Sequence, residues 1–358
     1  MGKVFVGLSG GVDSSTSAAL LKQQGYDVVG VFIKVWQPDF LPCTWKEDRQ
    51  DAMRVAAHLD IPFITIDLEK EYKEGIVDYM VREYKEGRTP NPDVMCNKEI
   101  KFGAFFKRAM DMGADYIAMG HYSRLRQRQN QEVGSEDYEL LKGVDDNKDQ
   151  SYFLWTLGQE ELSKTLFPIG KYQKSEVRKL AEKFGLPTAQ KKDSQGLCFM
   201  GMLDMKEFLK EFIPEKKGQV LNESGKVVGE HDGASFYTIG QRHGFVITQK
   251  STEEEPYYIV DKDVEKNTLT VSSKENMEHV GGRKTVTLHD TNWIGEEPKE
   301  GKSYRARVRY RGELLECSVK MLNESRAEVT FEENQIAPAG QSLVIYDGER
   351  CLGGGVID

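Results

Sequence analysis

A run of small and polar residues near the start of the chain, residues 9–15, has the composition of an anion-binding loop. It follows the apolar residues 4–8, which predict a buried strand, and it precedes a predicted helix at residues 16–24. A glycine-rich turn between a strand and a helix directs backbone N–H groups and the positive end of the helix dipole at one point. We therefore predict a phosphate site here, where Asp13 can share a cation with the phosphate.

Two common nucleotide-binding patterns do not fit this loop. A Walker A motif ends in Gly-Lys-Ser/Thr, and the matching positions here hold Val12 and Asp13. No G-x-G-x-x-G pattern passes through Gly7, Gly10 and Gly11. The sequence Ser-Gly-Gly-x-Asp-Ser instead resembles the PP-loop of ATP pyrophosphatases. That resemblance implies cleavage of ATP between the α- and β-phosphates, which yields AMP and pyrophosphate.

Two cysteines lie in predicted loops that suit a reactive thiol. Cys96 is in residues 88–98, where two prolines favour an extended loop and Asn97 is placed to cap a helix. Cys198 is in residues 193–201, directly after a lysine-rich segment. Thiolates are favoured at helix N-termini and beside lysines, so the two cysteines are predicted to form a reactive pair.

Two other uses of the cysteines stay open from the residues alone. A free cysteine is often only a small core residue, and this interpretation is favoured for Cys317 and Cys351. The second alternative is a metal or iron–sulfur site, although the cysteines are not closely spaced. Its candidate ligands are Cys43, Cys96, Cys198 and Asp93.

The composition predicts a cytoplasmic protein of two or three domains. The chain has 358 residues, too many for one compact core, and it has no stretch long and apolar enough to span a membrane. Its five cysteines form no C-x-x-C pair, and the N-terminus lacks the pattern of a signal peptide, which together indicate a reducing compartment. The net charge of −9 argues against broad, non-specific nucleic-acid binding.

Two basic segments, residues 171–192 and residues 302–311, are exceptions to this acidic balance. In the second segment arginines alternate with apolar residues, so a strand would bury one row and present four arginines on its other face. The arginines are Arg305, Arg307, Arg309 and Arg311. Such a face suits binding to the phosphate backbone of a nucleic acid. A strand whose arginines contact only solvent is an equally supported interpretation.

Residues 1–200 alternate predicted strands and helices, which indicates an α/β domain with a parallel sheet covered by helices. The predicted strands are residues 4–8, 28–35, 63–67 and 116–120, and the predicted helices are residues 16–24, 46–59, 70–85, 98–112 and 175–184. Ligands of such sheets bind at the carboxyl ends of strands, where the loop at Ser9, Ile33 and Gly120 all fall. Short strands and turn signals then predict a small β-rich domain at residues 201–275 and a β-barrel at residues 276–358.

Six segments occur in an order that resembles the tRNA-specific 2-thiouridylase family over essentially the whole chain. They are residues 9–15 (SGGVDSS), 91–102 (NPDVMCNKEIKF), 120–122 (GHY), 148–153 (KDQSYF), 193–199 (DSQGLCF) and 237–242 (YTIGQR). The resemblance implies a HUP-like PP-loop catalytic domain that uses ATP and Mg²⁺ to modify tRNA. The chain departs from the family at Ile33, where relatives often have methionine, and at Gln195, to which we assign no role.

The resemblance also implies roles for individual residues. ATP would contact Gly7, Leu8, Ser9, Gly10, Gly11, Val12, Asp13, Ser14, Ile33 and Gly120, with Mg²⁺ near Asp13. The tRNA would contact Asn91, Pro92, Asp93, His121, Lys148, Asp149, Gln150, Arg309, Tyr310 and Gln341, the first three next to the target base. The catalytic residues would be Cys96 as the nucleophile, Cys198 as the persulfide carrier and Asp93.

The chemistry of thiolation accounts for these residues. Adenylation turns the C2 oxygen of the wobble uridine, a poor leaving group, into part of AMP, a good one. A persulfide on Cys198, or sulfide released from it, then attacks C2. Cys96 attacks the remaining sulfane sulfur and forms a disulfide with Cys198, which an outside reductant resets. The implied partners are tRNA, that reductant and a persulfide donor protein, either a cysteine desulfurase or a sulfur-relay protein.

Two other functions compete with this one. A PP-loop ligase or amidotransferase would adenylate a small carboxylate or carbonyl, but such an enzyme needs neither two loop cysteines nor a basic barrel. A pure RNA-binding module would use the N-terminal domain as a nucleotide-gated clamp. Assays of pyrophosphate release from ATP with and without tRNA separate the three functions.

Overall fold

The N-terminal part of the chain folds around a five-stranded parallel sheet, as the alternating pattern predicts. A computed structural model describes residues 1–40, 45–129, 136–193, 204–248 and 256–358. The strands in this part are β1 Lys3–Gly7, β2 Asp27–Lys34, β3 Phe63–Asp67, β4 Tyr116–Ala118, β5 Ser123–Gln129, β6 Glu136–Lys142 and β7 Thr165–Leu166. The sheet has the order β3-β2-β1-β4-β7, so β1 is the central strand, and its three middle residues, 4–6, are apolar and buried.

Helices cover the two faces of this sheet. They are α1 Val12–Gln23, α2 Trp45–His58, α3 Glu69–Tyr72, α4 Tyr79–Lys85, α5 Pro92–Met95, α6 Phe105–Asp111, α7 Gln159–Ser163 and α8 Lys174–Lys183. Two π-helical segments, Lys73–Asp78 and Cys96–Ala104, join α3 to α4 and α5 to α6, and a 3₁₀ turn spans Ser151–Leu154.

The helix that carries Cys96 begins earlier than the sequence predicts. Its first residue is Pro92, and the side chain of Asn91 accepts a hydrogen bond from the Val94 N–H at 3.2 Å. Proline at the first helical position and asparagine before it are favourable starting residues. The prediction that Asn97 caps this helix is therefore wrong, and Cys96 lies one turn inside the helix rather than in a loop.

The hairpin of β5 and β6 leaves the N-terminal part and joins the last β-sheet of the chain. Leu140 and Leu141 of β6 pair with Cys351 and Arg350. This hairpin therefore adds two strands to the hydrogen-bonded sheet of the C-terminal part, while the parallel sheet remains separate.

A small β domain follows, as predicted. It contains helix α9 Met205–Lys210 and strands β8 Gly218–Asn222, β9 Val227–His231, β10 Val246–Ile247, β11 Tyr257–Asp263 and β12 Thr268–Ser273, with a 3₁₀ turn at Ala234–Phe236. The strand order is β10-β9-β8-β12-β11. Helix α10 Lys274–Gly281 comes next. The predicted boundary at residue 275 falls within α10, and the one at residue 200 lies outside the described residues, so both boundaries remain predictions.

The C-terminal part is a closed antiparallel barrel, which confirms the predicted fold class. Its strands are β13 Arg283–Trp293, β14 Ser303–Arg307, β15 Leu315–Asn323, β16 Arg326–Gln335, β17 Ser342–Asp347 and β18 Arg350–Ile357. They follow the order β13-β16-β15-β14-β17-β18, and pairing of β13 with β18 closes the ring. Within the described residues, no helix is long and apolar enough to cross a membrane.

The predicted strand with four arginines on one exposed face is wrong in two respects. Strand β14 ends at Arg307, and the chain then turns, with Arg311 at a φ of +58°. Arg307 itself is buried, and its guanidinium donates to the Asp149 carboxylate at 2.9 Å. The alternation with apolar residues is real, but the outer face of β14 is partly covered by the parallel-sheet domain.

Candidate functional site

The loop between β1 and α1 has the geometry of a phosphate cradle. Gly11 is the N-cap of α1 and has no side chain to cap the helix, so among the described residues the first N–H groups of α1 are left for another acceptor. Gly10 has a φ of +73°, and a Cβ there would lie 2.4 Å from the carbonyl oxygen of Asp48. Only glycine fits this position, and the resulting turn suits the polyphosphate of ATP.

Gly120 brings the end of β4 against this cradle. A Cβ on Gly120 would lie 2.8 Å from the backbone nitrogen of Ser14, so any larger residue would fill the entrance of the α1 N-terminus. Ile33 is near the end of β2, but its side chain is buried in the core of the sheet. The structure thus joins Gly120 to the loop residues, whereas contact between Ile33 and adenosine stays a prediction.

Asp13 is held by two donors from other elements. The Tyr122 hydroxyl donates to its Oδ1 at 2.8 Å, and the Lys174 ammonium donates to both carboxylate oxygens at 2.8 Å. A carboxylate in this position suits Mg²⁺, which commonly uses one or two carboxylates together with substrate phosphates. Among the described residues, no group of three or more His, Cys, Asp or Glu side chains is arranged to hold a metal alone. The contact of Asp13 with Mg²⁺ stays a prediction.

Cys96 lies on the helix next to this edge of the sheet and is buried, with 1 % of its surface exposed. Asn97 follows Cys96, and the side-chain nitrogen Nδ2 of Asn97 donates to the Asp93 backbone carbonyl at 3.0 Å. The Oδ1 atom of Asn97 is buried and has no hydrogen-bond partner within the part of the chain that the structure describes. A buried acceptor of this kind is costly unless a ligand donates to it.

His121 follows β4 in the chain and contacts the helix that carries Cys96. Its Nε2 lies 3.4 Å from the Lys101 ammonium, and its ring packs against Phe102 and Phe167. Burial, and secondarily the Lys101 charge, hold the pKa of His121 well below its usual value of 6.5. The neutral ring accepts through Nε2, and its buried Nδ1 has no hydrogen-bond partner among the described residues. The structure places this side chain inside the protein rather than on its surface, and the predicted tRNA contact remains untested.

Residues 148–150 form a structured turn rather than three surface ligands. Asp149 is buried, and its carboxylate accepts from Arg307 and from the N–H groups of Gly143 and Ser151. The Asp149 side chain therefore fixes this turn, and its predicted contact with tRNA stays a prediction. The Gln150 amide oxygen accepts from the Tyr122 N–H at 3.0 Å.

Lys148 pairs with Asp193, the last described residue before the segment that carries Cys198. Its ammonium lies 2.7 Å from the Asp193 carboxylate. Burial raises the pKa of Asp193, but hydrogen bonds from Lys148 and Lys174 outweigh it, and the pKa is lowered to about 2. Asp193 is therefore a fixed negative charge between the ATP loop and the predicted tRNA ligands.

The barrel and the small β domain both contact the segment that precedes Cys96. The Gln341 amide donates to the carbonyl oxygens of Thr89 and Pro90, at 2.8 and 3.2 Å. The Thr89 hydroxyl lies 3.1 Å from that of Thr238 in the small β domain. Three parts of the fold therefore meet at the entrance to the Cys96 helix, which positions Asn91, Pro92 and Asp93.

Arg309 and Tyr310 lie on the turn after β14. Arg309 is exposed, whereas the Tyr310 ring is half-buried and packs 4.4 Å from the Phe153 ring, between centroids. The predicted contacts of Arg309 and Tyr310 with tRNA stay predictions.

Comparison with known proteins is consistent along the whole chain. Residues 2–202 match a family model described as tRNA methyl transferase HUP domain, residues 206–273 its PRC-barrel domain, and residues 283–357 an aminomethyltransferase beta-barrel domain. A tRNA-specific 2-thiouridylase MnmA from Lysinibacillus sphaericus is 46% identical over 361 residues, which cover 99% of this chain and 94% of the relative. The chain belongs to the tRNA-specific 2-thiouridylase family.

Other comparisons agree with this membership or add nothing to it. The protein of the same name from Ligilactobacillus salivarius is 48% identical over 364 residues, covering 99% of this chain and 95% of the relative. Among solved structures, the U34-tRNA thiolase NcsA from Methanococcus maripaludis is 18% identical, with a TM-score of 0.37 over 60% of this chain and 68% of that one. That likeness is too weak to support an inference.

The remaining cysteines divide into two groups. Burial raises the pKa of Cys317 and Cys351 to about 12, which fits the interpretation of both as core residues. Cys43 and Cys198 lie outside the described residues, as does Gln195. The pairing of Cys96 with Cys198 and the alternative metal site therefore remain predictions.

Sequence reasoning missed three side chains that the structure places at the site. These are Tyr122 and Lys174, which bind Asp13, and Thr238, which contacts Thr89. Lys174 belongs to residues 171–192, which the sequence identifies only as a basic segment. No local signal distinguishes it from the other lysines there, because its role depends on a partner 161 positions away.

Proposed function

We propose that this protein is an ATP-dependent tRNA sulfurtransferase that converts a wobble uridine to 2-thiouridine, with AMP and pyrophosphate as the other products. The observation that carries the proposal is the placement of the phosphate cradle and the Cys96 helix at one edge of the parallel sheet. Gly120 touches the cradle, and His121, the next residue, contacts Lys101 on the Cys96 helix. The names of the relatives support tRNA as the substrate.

The loop would hold the polyphosphate and expose its α-phosphate to the uridine. The uncapped N–H groups of α1 donate to phosphate oxygens, and the helix dipole favours their charge. Mg²⁺ bound with the nucleotide at Asp13 would neutralise charge on the pyrophosphate. The C2 oxygen of the uridine attacks the α-phosphate, the α–β bond breaks, and the base carries AMP on its former carbonyl oxygen.

Sulfur would then replace that oxygen. The terminal sulfur of a persulfide on Cys198 forms a bond to C2, and AMP leaves with the oxygen. The Cys96 thiolate attacks the Cys198 sulfur, which breaks the S–S bond, releases the thiocarbonyl base and forms a Cys96–Cys198 disulfide. Two electrons from a thiol reductant restore both cysteines. Asn91, Pro92 and Asp93 at the start of the Cys96 helix would face the base, since this segment is fixed by the barrel and the small β domain.

The tRNA would lie across the turn after β14 and the turn at Lys148. Arg309 supplies an exposed charge for a phosphate, and the half-buried Tyr310 presents an edge for stacking or hydrogen bonding. The persulfide donor, a cysteine desulfurase or sulfur-relay protein, would deliver to Cys198. We propose that these reactions take place in the cytoplasm, where thiol reductants are available.

Experiments that separate the roles of Cys96 and Cys198 test this function. Incubation with a cysteine desulfurase and cysteine is expected to add one sulfur atom to Cys198, detected by mass spectrometry of peptides. Cys198→Ser is expected to lose the adduct and all thiolation, yet to keep tRNA-dependent release of pyrophosphate. Cys96→Ser is expected to keep the adduct but not to turn over.

Cys317→Ala is the matched control, because Cys317 is a buried thiol in the barrel. It is expected to retain thiolation. A persulfide on Cys96 and none on Cys198 would reverse the assignment of the two roles. Full activity of both serine variants would refute the sulfur-transfer mechanism.

A further inference from the structure

The PP-loop has no basic side chain, although the pyrophosphate that leaves from it is strongly negative. Residues 9–14 read Ser-Gly-Gly-Val-Asp-Ser. In Walker A proteins a lysine within the loop contacts the phosphates. A protein cation that stabilises pyrophosphate here must come from another element of the fold.

Lys174 reaches the loop from the first residue of α8. Its ammonium lies 2.8 Å from each carboxylate oxygen of Asp13, and only 13 % of its side chain is exposed. Its own backbone N–H donates to the Asp145 carboxylate at 2.9 Å, which fixes the start of α8. Because the ammonium is largely shielded from water, its electrostatic effect on a neighbouring anion is strong.

The surrounding charges leave Lys174 able to bind a phosphate in addition to the two carboxylates that it already contacts. Its ammonium lies 2.9 Å from Asp193, but Asp193 is also paired with Lys148 and Arg178, each at 2.7 Å. Asp13 also accepts from the Tyr122 hydroxyl. Neither carboxylate would be left without a donor if the ammonium turned toward a phosphate.

We propose that Lys174 binds the polyphosphate of ATP and stabilises the pyrophosphate as it leaves, in place of the lysine that this loop lacks. Its contact with Asp13 also neutralises a carboxylate that would otherwise repel the incoming phosphates. The inference rests on the proposed use of ATP and extends it to a residue outside the loop.

Calorimetric binding of ATP and AMP tests the inference without relying on turnover. Lys174→Ala is expected to weaken ATP binding by about tenfold to a hundredfold, the usual effect of losing a charged hydrogen bond, and to change AMP binding less than about threefold. Lys174→Arg is expected to restore most of the ATP affinity. Lys179→Ala, which removes the same charge from an exposed position of α8, is the matched control and is expected to bind ATP like the unaltered protein.

A second variant separates direct contact from neutralisation of Asp13. In an Asp13→Asn background there is no carboxylate charge to neutralise, so a lysine that contacts phosphate should still matter. Adding Lys174→Ala to that background is expected to reduce ATP affinity by at least about fivefold more. If the added substitution has no effect, or if ATP and AMP affinities fall equally, the phosphate contact is refuted while ATP use stands. Absence of ATP binding by the unaltered protein would overturn both.

Discussion

The Arg307 guanidinium donates to the Asp149 carboxylate across 2.9 Å, and this ion pair is buried between the barrel and the parallel-sheet domain. The Arg307 side chain is 9% exposed and the Asp149 side chain 0%. Asp149 also fixes the turn that contains Lys148 and Gln150 through two backbone N–H groups. The pair therefore couples the position of the barrel to a turn next to the ATP loop.

Removing one partner of this pair should be strongly destabilising. Arg307→Ala leaves the Asp149 charge buried and unpaired, so we expect a loss of about 3–5 kcal/mol of stability, measured by urea unfolding. Arg305→Ala, on the same strand but in an exposed pair with Glu316, should cost at most about 1 kcal/mol. Equal losses in the two variants would contradict a special role for the buried pair.

Gly120→Ala should weaken ATP binding, because the backbone at the start of α1 must shift to make room for the new methyl group. The new methyl group would lie 2.8 Å from the Ser14 nitrogen, at the entrance of the phosphate cradle. Gly75→Ala is the control, since its Cβ would make only ordinary contacts with Glu99 and alanine favours a helix. Equilibrium binding of ATP measures the difference, and unchanged affinity in Gly120→Ala would place the nucleotide elsewhere.

Arg309 and Arg305 should contribute differently to tRNA binding. Arg309 is exposed on the turn after β14. Arg309→Ala should therefore reduce, by about one unit, the slope of a plot of the logarithm of tRNA affinity against the logarithm of salt concentration. Arg305 is already paired with Glu316 and should give a smaller change. Filter binding of tRNA over a series of salt concentrations measures both slopes. Identical slopes for Arg309→Ala and the unaltered protein would exclude a phosphate contact.

His121 should make the folded state sensitive to mild acid. Its pKa is held well below 6.5 by burial and by Lys101, so the unfolded chain binds a proton there more readily than the folded protein. The stability from a neutral His121 is complete above pH 6.5 and is lost as the pH falls, by up to about 1.4 kcal/mol per pH unit. His121→Asn should reduce the slope of stability against pH below 6.5, measured by urea unfolding. An unchanged slope would show that His121 is protonated in the fold.

Local signals predicted the parallel sheet and the phosphate loop. The apolar run of β1, the glycines after it and the helix beyond all lie within a short stretch, so propensity and turn chemistry decide them. Asn91 and Pro92 also give a local signal for the start of the Cys96 helix. Asn97 gives a competing cap signal, and the prediction based on it is wrong.

Contacts between distant residues could not be predicted in the same way. Asp149 looks like a surface acid until Arg307, 158 positions later, is brought onto it. The alternation around Arg307 correctly indicates a strand, but which face of a barrel strand is covered depends on how domains dock. The hairpin of β5 and β6 is also absent from the sequence prediction, and its pairing with Cys351 and Arg350 joins residues that lie far apart in the chain.

The most direct test of the central claim follows the oxygen that leaves the base. We would label tRNA with heavy oxygen at C2 of its wobble uridine, incubate it with the protein, ATP, Mg²⁺ and a persulfide donor, and analyse the products by mass spectrometry. Adenylation of that oxygen predicts 2-thiouridine in the tRNA and the heavy isotope in the phosphate of AMP. Formation of ADP, or 2-thiouridine with unlabelled AMP, would contradict the mechanism.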